Sequence, residues 1–237
     1  MEINKFDAWS ASFGEAVTGI ELAPDGSGFR TNTRFSRFCN LAELMAIFKG
    51  VADVKTKRML NLPTPAIEGG KPQVMVAQPS EVLKEIIKGL VTRADKIRNR
   101  QVKPEEDNML SVTNDGRRAA IDVRMVHPSL PFDPSGKLAL VAGNVHRIWR
   151  EGAERRVTQL VFSDLGTPGA KGLSVYEEVK RLLVERGIPT AEIEFIQEHS
   201  SDSAKAKLFK RVREGVVRVL FGSTSMLGTG TNVQGRL

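Results

Sequence analysis

From Val157 onward the spacing of apolar residues changes in a regular order. Val157-Thr158-Gln159-Leu160-Val161-Phe162-Ser163 is a nearly continuous apolar run, the pattern of a strand buried on both faces of a parallel sheet. Leu173, Tyr176, Val179, Leu182 and Leu183 then fall three or four apart, which predicts a helix over 173–186. Gly187 supplies a left-handed stop, and Pro189 forbids continuation. Ile193-Glu194-Phe195-Ile196 reads as a short second strand. A helix capped by Ser201 or Asp202 and ended by Gly215 leads to a third strand, Val216 to Phe221. Strand, helix, strand, helix, strand with right-handed crossovers predicts an α/β fold, a parallel sheet with helices on its faces.

The earlier chain is less regular. Phe6, Trp9 and Phe13 share one face of a short helix and have little nearby to cover them. Val17 to Leu22 and Phe29 to Thr31 flank Pro24-Asp25-Gly26-Ser27-Gly28, a hairpin signal. Asn40 with Glu43 reads as a capping box for a helix that buries Leu41, Leu44, Met45 and Phe48 and stops at Gly50. Residues 51–79 read as a connector: the basic cluster Lys55, Lys57 and Arg58, proline and glycine breakers, and a short strand Val74–Ala77. A long helix follows over 80–100. It buries Leu83, Ile86, Ile87, Leu90, Ala94 and Ile97 and carries Lys84, Lys88, Arg93, Lys96 and Arg100 on a solvated face. Between 101 and 134 two readings stand: a hairpin turned at Asn114-Asp115-Gly116, or a helix over 117–126. A last helix, 138–150, turns Leu140, Val141, Val145 and Ile148 inward.

Composition narrows the classes. Hydrophobic content of 41% and charged content of 27% suit a globular protein rather than a disordered one. No run approaches a membrane span, and the opening residues lack a signal peptide's apolar segment. Cys39 is the single cysteine, which excludes an internal disulfide and points to a reducing, cytoplasmic setting. Three scattered histidines and that cysteine make no zinc site, so no metal ligand is assigned. The net charge of +7 suits contact with a polyanion.

The candidate chemistry lies in Gly222-Ser-Thr-Ser-Met-Leu-Gly-Thr-Gly-Thr-Asn232, the loop leaving the third strand, because ligands of such sheets sit beyond the carboxyl ends of strands. Its glycines let backbone N–H groups approach a phosphate or a partner surface, and its hydroxyls add donors; the alternative is a plain turn. No lysine follows them as in a Walker A loop, and Val233 stands where a dinucleotide fingerprint needs its third glycine.

Several segments resemble the second ATPase lobe of superfamily 2 helicases, most of all the SWI/SNF-like branch. Gln159-Leu-Val-Phe-Ser-Asp164 resembles motif IV, and Ser223-Thr-Ser-Met-Leu-Gly-Thr-Gly-Thr-Asn-Val233 resembles motif V. The helix Lys205–Arg213 resembles the one before motif V, and Ser135-Gly-Lys-Leu138 the element before motif IV. Phe6-Asp-Ala-Trp9 and Gly230-Thr-Asn-Val-Gln234 resemble, more narrowly, large bacterial, phage and plasmid proteins that join such a helicase to an adenine-specific DNA methylase. That likeness favours the helical reading of 117–126.

The resemblance implies a RecA-like parallel sheet over 73–237, the second helicase lobe truncated after motif V. Residues 1–72 would be the end of the first lobe and the connector, mainly helical. It implies nucleic-acid contacts by Ser163, Ser223 and Thr224, and a nucleotide-facing side of motif V at Gly228, Gly230 and Asn232. Asp164 and His199 are expected to be structural, and Arg236 is a nucleotide contact by position alone. The parent would be an ATP-dependent helicase or translocase on DNA, chiefly double-stranded, using ATP and Mg²⁺. Its partners would be the missing first lobe and a fused adenine-specific methylase. No Walker A loop, acidic metal motif or motif VI arginine occurs in the chain, so this piece is expected to hold no cofactor and to be inactive alone. The alternative is a non-catalytic, basic nucleic-acid-binding or scaffold domain beside a degenerate ATPase.

Overall fold

The structure, a computed structural model, describes residues 5–22, 29–60, 67–169, 171–228 and 233–237. The chain divides into two compact units, residues 1–64 and 65–237.

In the first unit, helix α1 (Phe6–Phe13) runs into an antiparallel hairpin of β1 (Gly14–Leu22) and β2 (Phe29–Phe38). Leu22 pairs with Phe29, so the expected turn 24–28 lies outside the described residues. The aromatic face of α1 is better covered than expected. The Trp9 ring stacks on Phe35 at 6.2 Å and meets Phe38 edge-on at 6.3 Å, and Phe13 is buried. Only Phe6 stays bare, 72% exposed. Gly14 permits this packing, since a Cβ there would lie 1.9 Å from the Phe35 ring.

Asn40 is no N-cap for α2 (Leu41–Lys49). It sits in the left-handed region at φ 50°, and its amide donates to the Ser12 carbonyl at 2.8 Å, so α1 takes the side chain the capping box needed. Leu41 and Phe48 of α2, expected on its buried face, are more exposed than buried. A single helical turn, α3 (Lys57–Leu60), follows.

The second unit opens with exposed backbone. Val74, Met75 and Val76 form no strand, because among the described residues no sheet edge pairs with them. Ser80 then caps α4 (Glu81–Arg98) by accepting from the Leu83 N–H, and Asn108 caps α5 (Met109–Ala119) through the Ser111 N–H. The helix of this region thus starts eight residues before the expected 117, while 123–125 forms a single 3₁₀ turn. Leu90, Ala94 and Val112 pack α4 on α5.

Arg93, expected on the solvated face of α4, is instead the clamp of this pair. It forks onto Asp107 at 2.7 and 2.8 Å and reaches Asp115 at 2.8 Å. These bonds raise the Arg93 pKa further and hold Asp107 below the usual carboxylate range.

Helix α6 (Lys137–Glu151) leads into a three-stranded parallel sheet of β3 (Gln159–Phe162), β4 (Ile193–Phe195) and β5 (Val219–Gly222), in the order β3-β5-β4. Alternation along β5 builds two cores. Val219 and Phe221 join Leu138, Ala142 and Val145 of α6 and Tyr176, Val179 and Leu183 of α7 (Val175–Glu185) on one face. Leu220 joins Leu208 and Val212 of α8 (Asp202–Arg213), with Leu227 of the short α9 (Thr224–Leu227), on the other. The result is a helix–sheet–helix sandwich of α/β class. β5 is buried on both faces, but β3 is an edge strand, and its Phe162 is 47% exposed, not covered as the apolar run suggested.

Glu178 of α7 joins this layer to the 122–125 turn. Its carboxylate accepts from Arg181 at 2.9 Å and from Arg124 at 3.0 Å. Those hydrogen bonds, Arg181's first, hold its pKa below the glutamate range against the opposing pull of burial. A depressed carboxylate adds stability in full above its unfolded value, about 4.3, and loses it as pH falls through the folded value. Glu178→Gln is therefore expected to cost about 1.5–3 kcal/mol near neutrality. The gap between the thermal midpoints of wild type and variant should close on titration below pH of about 4.

Candidate nucleic-acid interface

Parallel register places Phe162 of β3 opposite Gly222 of β5, so the residues that follow each strand emerge side by side at the carboxyl edge of the sheet. The Ser163 N–H extends the ladder to the Gly222 carbonyl at 3.2 Å. Gly222 is needed for closeness: a Cβ there would lie 2.3 Å from the Leu227 side chain and 3.0 Å from Ile196. The turn of α9 therefore folds tightly back on the strand end, which sets Ser223 and Thr224 beside Ser163 and Asp164.

Sixty residues apart in sequence, Asp164 and Thr224 are joined twice. One carboxylate oxygen accepts from the Thr224 N–H at 2.7 Å, and the other accepts from the Thr224 hydroxyl at 2.9 Å. Asp164 is the structural cap the sequence suggested, and the Thr224 hydroxyl proton is already committed. The Ser163 hydroxyl donates to the Leu165 carbonyl at 2.8 Å. The Ser223 and Ser225 hydroxyls are hydrogen-bonded to each other at 2.9 Å, with Thr224 and Ser225 at the exposed surface. Gly228 spends its N–H on the Thr224 carbonyl at 2.8 Å, while Gly230 and Asn232 lie outside the described residues.

Behind the edge stands a brace that sequence inspection missed. The buried Tyr176, seen from its spacing only as a core residue, donates its hydroxyl to the Ser163 carbonyl at 2.7 Å. The amide of Gln197, just past β4, donates to the Tyr176 hydroxyl at 3.3 Å. Burial pushes the Tyr176 phenol up, with the Gln197 bond opposing and the Asp164 charge adding, so the phenol keeps the proton it donates. The ends of β3, β4 and β5 are thus linked through side chains.

Beside Asp164 opens a cavity of about 190 Å³, lined by Arg118, Met125, residues 164–167, Lys171 and Leu173. Arg118 and Lys171 make no ion pair among the described residues. Lys171, in the glycine-rich stretch that follows β3, is a sequence feature that could have marked it.

His199 and Arg236 serve structure. The His199 ring meets Glu194 at 3.1 Å, and Arg211 holds the other Glu194 oxygen at 2.7 Å. Burial alone would raise the Glu194 pKa, but the bonds from Arg211 and His199 win and lower it. Arg236 donates to the carbonyls of Arg213 and Arg155.

Among the described residues no cluster of three or more His, Cys, Asp or Glu is gathered for a metal, and no helix is long and apolar enough to cross a membrane. No family model, curated protein or solved structure matches the chain.

Proposed function

We propose that this chain supplies the second, RecA-like lobe of a SWI/SNF-like superfamily 2 helicase or translocase, the lobe that contacts duplex DNA. One observation carries the reading. Ser163 from the motif IV-like segment and Ser223 and Thr224 from the motif V-like segment, far apart in sequence, stand together at the carboxyl edge of a parallel sheet. That is where ligands of open α/β sheets bind. The net charge of +7, with Arg118 and Lys171 making no ion pair among the described residues, adds the field that phosphates require.

ATP and Mg²⁺ would be used by the complete machine, with a first ATPase lobe supplying the Walker loop. A fused adenine-specific methylase is the further partner this reading entails, and a bacterial, phage or plasmid cytoplasm its setting. The described residues do not fit a nucleotide cradle. The Gly228 N–H is taken by Thr224, and the Arg236 guanidinium is spent on backbone carbonyls, so no ATP-dependent step falls to them.

Fluorescence anisotropy with a labelled duplex across a salt series tests the reading. The expected dissociation constant is on the order of 10⁻⁴ to 10⁻⁶ M at physiological salt, without sequence preference. Each phosphate contact contributes about −0.9 to the slope of log K against log salt. Ser223→Ala removes a half-buried hydroxyl at this edge and should weaken binding by roughly 0.5–1.5 kcal/mol. Salt-independent binding, or none at low salt, would sink the reading.

A further inference from the structure

We propose that Asp164 is a built-in competitor for the nucleic-acid backbone, holding the N–H and hydroxyl of Thr224 until a phosphate displaces it. The inference rests on the DNA-contact reading above and adds a control element to it.

Thr224 offers two donors at the carboxyl edge, its N–H and its hydroxyl, each with one proton. Both point at the Asp164 carboxylate, at 2.7 and 2.9 Å. A phosphate oxygen is an acceptor only, as the carboxylate is. The two acceptors exclude one another from Thr224, and their like charges repel at such range. A phosphate that is to use Thr224 must therefore first move Asp164.

The surroundings make that movement local. The backbone on either side of the contact is pinned without help from Asp164. Ser163 is tied to Gly222 through its N–H and to Tyr176 through its carbonyl, and Leu227 is packed over Gly222. Release therefore needs only a side-chain rotation of an exposed residue. The carboxylate also has somewhere to go. Asp164 borders the 190 Å³ cavity that Arg118 and Lys171 line, two cations that have no ion pair among the described residues. Released from Thr224, the carboxylate has these two cations as its alternative donors. A phosphate arriving at Thr224 biases the choice. A carboxylate placed only to hold the loop would need no such second set.

The test is duplex binding by anisotropy at fixed salt for wild type, Asp164→Asn, Asp164→Ala, Thr224→Val, and Asp164→Asn combined with Thr224→Val. Removing the competitor should tighten binding about three- to tenfold, the worth of one hydrogen bond no longer broken on displacement. Thr224→Val removes the hydroxyl from the free and the bound protein alike, so it serves as the background in which the Asp164→Asn effect is read. In the Thr224→Val background the gain from Asp164→Asn should shrink by more than half. Should Asp164→Ala fail to fold, Asp164→Asn keeps an acceptor oxygen for the loop and carries the test.

Weaker binding by Asp164→Asn would overturn the competitor and make Asp164 a positioning residue. An equal gain with and without the Thr224 hydroxyl would overturn it too, since the effect would be bulk charge. Absence of binding by every protein at low salt would bring down the DNA reading and the competitor together.

Discussion

Phe221→Ala is expected to cost about 3–5 kcal/mol, a large share of the roughly 5–15 kcal/mol by which a domain of this size is stable. Phe221 is 1% exposed on the central strand, and its ring meets Phe195 edge-on at 5.4 Å and Tyr176 at 5.5 Å. Truncation leaves a void between the sheet and α7, where three rings had closed the core, and the void is too far inside for side chains to collapse into it. Phe221→Leu keeps most of the volume and should cost less than half as much. Urea unfolding is the measurement. A Trp9→Phe background leaves Trp149 as the only indole, so its fluorescence reports residues 65–237 alone. A midpoint that moves at constant slope shows a pure stability loss. A shift under about 1 kcal/mol would mean that this triad is not the centre of the core.

Arg218→Ala is expected to cost about as much, roughly 3–5 kcal/mol, for a different reason. Arg218 enters β5 from the amino end and is 2% exposed. Its guanidinium donates to the Val157 carbonyl at 3.1 Å and to the Trp149 carbonyl, lies 5.0 Å over the Trp149 ring and stands 3.8 Å from Glu192. Burial pulls its pKa down, Glu192 resists, and Arg156 adds to the fall. Taking the guanidinium away removes the donor from two half-buried carbonyls and leaves Glu192 with fewer cations around it. Arg218→Met keeps the aliphatic stem but not the donors, so it should recover only the packing part of the loss. Met behaving as wild type would show that the two carbonyls find other partners. Here the same unfolding curves are better followed by circular dichroism, because Trp149 is itself a partner.

These two residues also mark what the sequence made legible. Phe221 sits in a run of apolar residues whose period announces a buried strand, and the strands and helices of 157–221 stand where that period put them. Their ends are trimmed because a ladder extends only as far as β5 offers a partner: 157–163 became Gln159–Phe162. The arginine in Val217-Arg218-Val219 went unread, although a cation inside such a run demands acceptors nearby.

The contacts that shape the candidate site were not legible for a related reason. Asp164 meets Thr224, and Gln197 meets Tyr176, only through the order of strands, and local periodicity does not encode that order. Where a local signal had a nonlocal competitor, the competitor prevailed. Asn40 left its helix for the Ser12 carbonyl, Arg93 left the solvent for Asp107, and Val74–Ala77 met no sheet edge to make it a strand.

The order β3-β5-β4 has a consequence for how the chain is made. The strand in the middle of the sheet is the last of the three to be synthesised, and β3 must keep its edge open for a partner sixty residues downstream. At about 5–20 residues per second, β3 waits roughly 3–12 s and β4 roughly 1–5 s with unpaired backbone before β5 arrives. Helices α4 and α5, closed by Arg93 over a short span, need no such wait. The nascent chain therefore passes through a stage in which its helical hairpin is already locked while its sheet is still two separate ribbons. In that interval a holding chaperone has the most to cover.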